Sequence, residues 1–151
     1  MSEKPSTTTV FVTASVAVVD AGRLLVVRKR GTRMFMLVGG KLEPGESPLA
    51  AALREAEEEV GLALGPRDVE VLGHWRAPAA NEPGAVVDSV VHVLERRVVA
   101  VPRAEIVELA WVPIDPGDVT AAAVTADRLA PLTVDHVLPA LRGWLAARQR
   151  G

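Results

Sequence analysis

The chain contains no cysteine and no tyrosine among its 151 residues, and only two phenylalanines and three tryptophans. Without cysteine there is no disulfide, no thiol nucleophile and no cysteine-bound zinc. The absence of tyrosine accompanies an abundance of Ala, Val and Arg and reads as compositional bias. An apolar signal core is missing from the opening MSEKPSTTTV. No apolar run approaches the roughly 20 residues that cross a bilayer. The expectation is a soluble, cytoplasmic protein with no membrane partner, which the lack of cysteine fits. Net charge is small as well: 17 basic against 19 acidic residues, formally −2. That balance gives no general basic surface, so a nucleic-acid polymer is not an expected partner.

What is present is ordinary for one globular domain, with 49% of residues hydrophobic and 24% charged. Residues 1–9 read as a loose polar tail and residues 10–151 as a single domain. Val10–Val19 is a β-branched run suited to a buried strand. Asp20-Ala21-Gly22 signals a turn, and Arg23–Arg28 is its hairpin partner. Phe35–Val38 reads as a short strand running into Gly39-Gly40. Further strands are expected over Asp68–Arg76, in two runs within 85–99, and over Ile106–Val112. Ala77–Gly84 reads as a loop. Helices are expected from Ser47 to Val60, briefly over Val119–Ala126, and over Thr133–Arg148, kinked or divided at Pro139. The fold class is therefore mixed α/β (α+β), with an antiparallel-rich sheet packed between helices.

The stretch GKLEPGESPLAAALREAEEEVGL, residues 40–62, carries the chemistry. Ser47 suits an N-cap, Pro48 the first helical position and Gly61 the C-cap. Leu49, Ala52, Leu53, Ala56 and Val60 form the apolar stripe. Glu55, Glu58 and Glu59 stand at offsets 0, 3 and 4 and share one helix face. Three carboxylates together repel one another and favour a bound hard cation such as Mg²⁺ or Mn²⁺. An acid-rich helix by itself is more often a solvated face, and Glu57 points away from the other three.

Gly40, Glu46, Arg54, Glu55, Glu58, Glu59 and Gly61, with Leu62 at the last aliphatic place, follow the spacing G-x5-E-x7-R-E-U-x-E-E-x-G-U. That pattern resembles the Nudix box of the MutT-like Nudix hydrolases. The resemblance covers 23 residues, with a compatible strand order around them. It implies a Nudix-type α/β/α sandwich. It also implies hydrolysis of a nucleoside diphosphate linked to another group, by water attack at phosphorus with divalent metal. In that reading Glu58 and Glu59 hold metal, Glu55 holds metal or takes a proton, and Arg54 and Glu46 orient the acids by ion pairing. A carbonyl of Gly39 or Gly40 is a further ligand. MutT-type members use another acid six residues before a Trp; here Glu105 precedes Trp111 by six, with Glu108 as the nearby competitor. Two positions depart from the family pattern: Val38 stands where Pro often precedes the double Gly, and Ala56 replaces a larger aliphatic residue. Both are packing positions.

Arg28 and Arg30 are candidates for substrate phosphate, set against a plain soluble loop. Asn81 and Glu82 are candidates for base or ribose contacts, set against a turn built from Asn, Pro and Gly. His74, His92 and His136 show no ligand spacing. The stretch 115–132 has no Asn, so MutT-like reading of oxidised guanine is not expected. Many family members are dimers, and a homodimer is compatible with the resemblance. The alternative function is a Nudix-fold nucleotide sensor that binds without cleaving, although such proteins usually lose box acids. A Nudix-fold isomerase is disfavoured because that branch uses a cysteine.

Overall fold

Alternation along one long strand assigns every layer of the molecule. In a computed structural model, which describes residues 7–117 and 124–150, the β-branched run forms β1 (Val10–Asp20). Ala21 and Gly22 both take positive φ, 52° and 75°, as a two-residue hairpin turn demands, and reverse the chain into β2 (Arg23–Lys29). The hairpin is brief. β1 and β2 pair only at Val19/Leu24 and Asp20/Arg23. Along its whole length β2 pairs antiparallel with β6 (Ile106–Pro113) on its other edge, and past the hairpin β3 (Val38–Lys41) takes the place of β2 beside β1, with Thr13 opposite Lys41 and Val16 opposite Val38. On its other edge β1 runs parallel to β5 (Val86–Glu95), which in turn pairs antiparallel with β4 (Glu70–Pro78). The order is β4-β5-β1-β2-β6, with β3 on β1.

Successive strand residues face opposite sides. Ala14, Val16, Val18, Leu25 and Val27 pack with Ala52, Ala56 and Val60 of α1 (Pro48–Val60). Ala17, Val19, Leu24 and Val26 pack on the other side with Leu138 and Leu141 of α2 (Leu138–Gln149). The sheet therefore lies between two helical layers, the expected α/β/α sandwich. No helix among the described residues is long and apolar enough to cross a membrane.

Several boundaries differ from the sequence reading. The strand expected at Phe35–Val38 forms three residues later, as β3; Phe35 and Met36 make only isolated bridges, to Leu129 and Val27. β4 starts at Glu70 because Pro66–Asp68 is a 3-10 turn, with the Gly65 N–H bonded to Asp68 Oδ2 at 2.6 Å, and it runs on to Pro78. Only one strand forms within 85–99, since Arg96 onward leaves the ladder. The last helix is divided ahead of Pro139, at a π-helical turn over Thr133–Val137. Of the helix expected over Val119–Ala126, residues 119–123 lie outside the described residues, and Ala126–Arg128 is a 3-10 turn. Residues 1–6 of the expected tail lie outside them too. Residues 7–9 are exposed, and Thr9 O already accepts the Val86 N–H at 2.9 Å.

Candidate active site

The phase of α1 is set at both ends. Ser47 Oγ accepts the Ala50 N–H at 3.1 Å, with Pro48 following in the first turn. Gly61 takes φ +71°, and its N–H bonds Glu57 O at 3.0 Å. Ala51, Ala52 and Ala56 are fully buried, so small side chains line the contact with β1 and β3. Leu49 and Leu53, expected in the apolar stripe, are only half-buried, and Glu59 takes a buried place beside Val60. Glu57 is exposed, as its spacing predicts.

Glu59 is 5% exposed. Its Oε1 accepts the Gly39 N–H at 2.9 Å. Burial pushes its carboxyl up to about 8, against that hydrogen bond; the neighbouring charges of Glu55 and Glu105 push it further, and Lys29 opposes them. Glu105 is thus close enough to act on Glu59. Its loop is tied down by Arg103 N–H to Glu59 O at 2.9 Å and Arg30 N–H to Glu105 O at 2.8 Å. The competitor Glu108 is taken up by Arg28 at 2.8 Å.

Arg54 holds the remaining acids. Its Nε and Nη2 donate to the two oxygens of Glu46 at 2.7 and 2.8 Å, a bidentate fork. Nη1 reaches Glu55 Oε1 at 2.9 Å and Glu58 Oε2 at 3.2 Å, and Nη2 reaches Lys41 O at 3.3 Å. The fork, helped by the Glu43 backbone N–H, holds the Glu46 carboxyl down at about 2. The same bonds raise the Arg54 guanidinium further above its ordinary value.

Every donor in this cluster is an oxygen: the carboxylates of Glu55, Glu58, Glu59 and Glu105, and the carbonyls of Gly39 and Gly40. That chemistry suits Mg²⁺ or Mn²⁺, and the buried Glu59 gains most from a nearby positive charge. Among the described residues, no three acids or histidines gather tightly enough to hold a cation as they stand. The reason is visible in Arg54, which draws Glu55 and Glu58 onto its own Nη1. The set fits the ion by chemistry and needs Glu55 and Glu58 to release part of the guanidinium.

A cleft of about 390 Å³ leads away from the acids. Gly39, Gly40, Arg54 and Glu55 line one end, and the 78–82 segment lines the other. Asn81 and Glu82 both line it. The Asn81 amide is engaged, however: Oδ1 accepts the Met34 N–H at 3.1 Å and Nδ2 donates to Met34 O at 3.5 Å. Asn81 therefore clasps its loop to the 34–36 segment. Arg28 and Arg30 do not line the cleft. Arg28 is committed to Glu108 and to Thr32 O, and Arg30 is exposed. Of the basic run 28–30, the residue that reaches the cleft is Lys29; Lys41 and Arg54 also line it. The signal was there: at period 2, Lys29 follows Leu25 and Val27, which face α1.

His92 is buried, with Nδ1 donating to Ser15 O at 3.1 Å; His136 stacks on Trp75; His74 pairs with Asp88. Trp111 packs against the α1-side core.

The two glycines make opposite demands. A Cβ on Gly39 would strike the Ala14 carbonyl and come within 2.6 Å of Ser15 Cβ. Gly39→Ala is expected to destabilise the fold by roughly 1–3 kcal/mol through overpacking of β1 on β3. A Cβ on Gly40 would meet Glu55 Oε1 at 2.5 Å, the end of a side chain that can swing away. Gly40→Ala is expected to keep the melting temperature and lose roughly a hundredfold in rate through a displaced Glu55. Melting curves and turnover of both variants check this pair, and equal melting temperatures for the two would refute it.

Residues 10–131 match the family model of the NUDIX domain. The chain is 47% identical over 57 residues to an RNA pyrophosphohydrolase of Halorhodospira halophila, a match covering 38% of this chain and 30% of that protein. It is 43% identical over 79 residues to the peroxisomal coenzyme A diphosphatase NUDT7 of Mus musculus, covering 51% and 32% respectively. These matches span about a third of each relative's length. Among solved structures, a MutT/nudix family protein from Enterococcus faecalis superposes with TM-score 0.71 at 18% identity, over 96% of this chain and 66% of that one. A bifunctional NMN adenylyltransferase/ADP ribose pyrophosphatase from Francisella tularensis, complexed with AMP and a Mn ion, superposes with TM-score 0.68 at 16% identity, over 93% and 43%. At these identities the structural likeness concerns the fold.

Proposed function

This chain belongs to the NUDIX domain family, and on that premise we propose that it hydrolyses a nucleoside diphosphate linked to another group, by water attack at phosphorus. The observation that carries the proposal is Glu59, a buried carboxyl held by the N–H of Gly39 and acted on by the charges of Glu55 and Glu105, with Gly39 and Glu55 themselves lining an open cleft. Burying an acid among other acids is costly unless a cation joins them. The relatives named above as pyrophosphohydrolase and diphosphatase support a phosphoanhydride as the bond cleaved.

In the proposed mechanism Glu55, Glu58, Glu59, Glu105 and a carbonyl of Gly39 or Gly40 hold Mg²⁺ or Mn²⁺. The ion supplies positive charge that makes nearby water a stronger acid and offsets the charge on the phosphates. Glu55 lies at the cleft wall and receives the proton of the attacking water. Arg54 positions Glu55 and Glu58, and is itself aligned by Glu46. Lys29 lies on the cleft side of the acids, where it attracts the phosphates.

The test is a panel of nucleoside triphosphates, ADP-ribose, dinucleoside polyphosphates and nucleotide sugars with Mg²⁺ or Mn²⁺, with products read by mass to locate the broken bond. Turnover is expected for at least one class and is expected to stop when the cation is chelated. Binding without release of any product would instead assign the chain as a nucleotide sensor.

A further inference from the structure

Three hydroxyls on the cleft wall have no partner. Ser15 Oγ, Ser89 Oγ and Thr133 Oγ1 are buried and make no hydrogen bond. Their residues are 5%, 1% and 0% exposed, and all three line the cleft. Among the described residues, every buried side-chain nitrogen or oxygen lacking a partner belongs to this one cleft. Folded proteins pair nearly all such groups, because an orphaned buried donor or acceptor is costly.

The topology explains how they meet. Thr13 stands opposite Ser89 in the parallel β1–β5 register, and Ser15 is two residues further along the same face of β1. Deeper in the sheet that face is apolar, with Ala17 and Val19 in the α2-side core. The face turns to hydroxyls only where it borders the cleft. Thr133 comes from the opposite layer, at the start of the π-helical turn. A helical Thr commonly bonds a carbonyl one turn back; Thr133 does not. Single π turns recur at functional sites. Phe11, Leu37, Val87 and Leu132 supply apolar wall around the three hydroxyls.

We propose that Ser15, Ser89 and Thr133 form a specificity subsite that hydrogen-bonds the heteroatom edge of a nucleobase on the substrate. The proposal rests on the reading that the acid end of the same cleft handles the diphosphate. Apolar walls with a few convergent polar points suit a ring that is apolar on its faces and polar at its edge. An aliphatic chain offers these hydroxyls nothing, and a sugar carries polar groups in every direction. Each hydroxyl both donates and accepts, so carbonyl, ring nitrogen and amino groups can all be met. A serine Oγ reaches three staggered positions by rotation about one bond. A ligand in the cleft can therefore draw out a hydroxyl that has no existing bond to give up.

The experiment is calorimetric titration of the full chain, without metal, with AMP, GMP, CMP and UMP, and with ribose 5-phosphate as the base-free control. The proteins are the wild type, Ser15→Ala, Ser89→Ala, Thr133→Val and the double serine variant, each checked by melting. At least one nucleotide is expected to bind the wild type tenfold or more above ribose 5-phosphate. Each substitution is expected to cost that nucleotide roughly fivefold, from the ordinary net worth of one hydrogen bond, and to leave ribose 5-phosphate unchanged. Equal binding of all five ligands to the wild type overturns the subsite. So does a preference that survives the double variant, which would leave the hydroxyls serving only water. Because no turnover is needed, the two readings fail separately. A protein that prefers a base but cleaves nothing refutes the hydrolase alone, and one that cleaves diphosphates while ignoring the base refutes the subsite alone.

Discussion

Glu59→Gln is expected to lower the hydrolysis rate by roughly 100- to 10,000-fold, the range commanded by a positioned acid or base, while making the metal-free protein more stable above pH 8. The two effects have one cause. In the folded, metal-free chain the Glu59 carboxyl is raised from about 4.5 to about 8, chiefly by burial. A group whose folded value lies above its unfolded value binds its proton more tightly in the native state. Stability is therefore unaffected below about pH 4.5, falls through the window up to about 8, and stays reduced above it. The loss is on the order of a few kcal/mol. Gln keeps the shape and an oxygen for the Gly39 N–H but carries no charge, so it should flatten this slope. A divalent cation that binds the native state should restore the wild type at pH 8 and do little for the variant. The measurements are melting curves from pH 5 to 9, with and without Mg²⁺ or Mn²⁺, beside turnover. A wild-type melting temperature that does not change across that range, or near-normal turnover of the variant, would count against a buried Glu59 at the reaction centre.

Arg54 should give the second large effect. It bridges Glu46, Glu55, Glu58 and the Lys41 carbonyl, so its removal leaves several acids facing one another unscreened. Arg54→Ala is expected to lower the melting temperature and reduce activity more than a hundredfold. Arg54→Lys keeps the charge but loses the planar fork that grips Glu46. It is expected to retain most of the stability and still lose roughly ten- to a hundredfold in activity or metal affinity, the usual cost of a partner that orients a ligating acid. A Lys variant with wild-type turnover would show that charge alone, without bidentate alignment, is sufficient.

Local chemistry made much of this legible. Ser47, Pro48 and Gly61 bracket α1 because an N-cap, a fixed φ and a left-handed terminus are properties of single residues. The spacing of Arg54, Glu55, Glu58 and Glu59 follows from helical period alone. β1, β2 and β6 were legible from β-branched runs and a turn. β3 was displaced because its position is set by pairing with β1, which no local preference encodes. Arg28 and Arg30 were preferred to Lys29 within one basic run. Strand phase separates them, and Glu108 across the sheet then occupies Arg28. Asn81 looked free to read a base because its partner, Met34, lies 47 residues away.

The sequence by itself determined the box: seven residues at fixed offsets, from Gly40 on β3 to Gly61 at the C-cap of α1, with Arg54, Glu55, Glu58 and Glu59 on the helix. It could do so because helical period converts spacing directly into a shared face. Only the tertiary structure decided which of those acids is buried and what lies beyond them. Glu59 is buried because three small alanines line the helix contact with β1 and β3, and because the Gly39 N–H receives its carboxylate. The cleft and its three unpartnered hydroxyls arise from strands and a π turn far apart in sequence. Serine and threonine carry no periodic signature of their own, so only packing could bring them together.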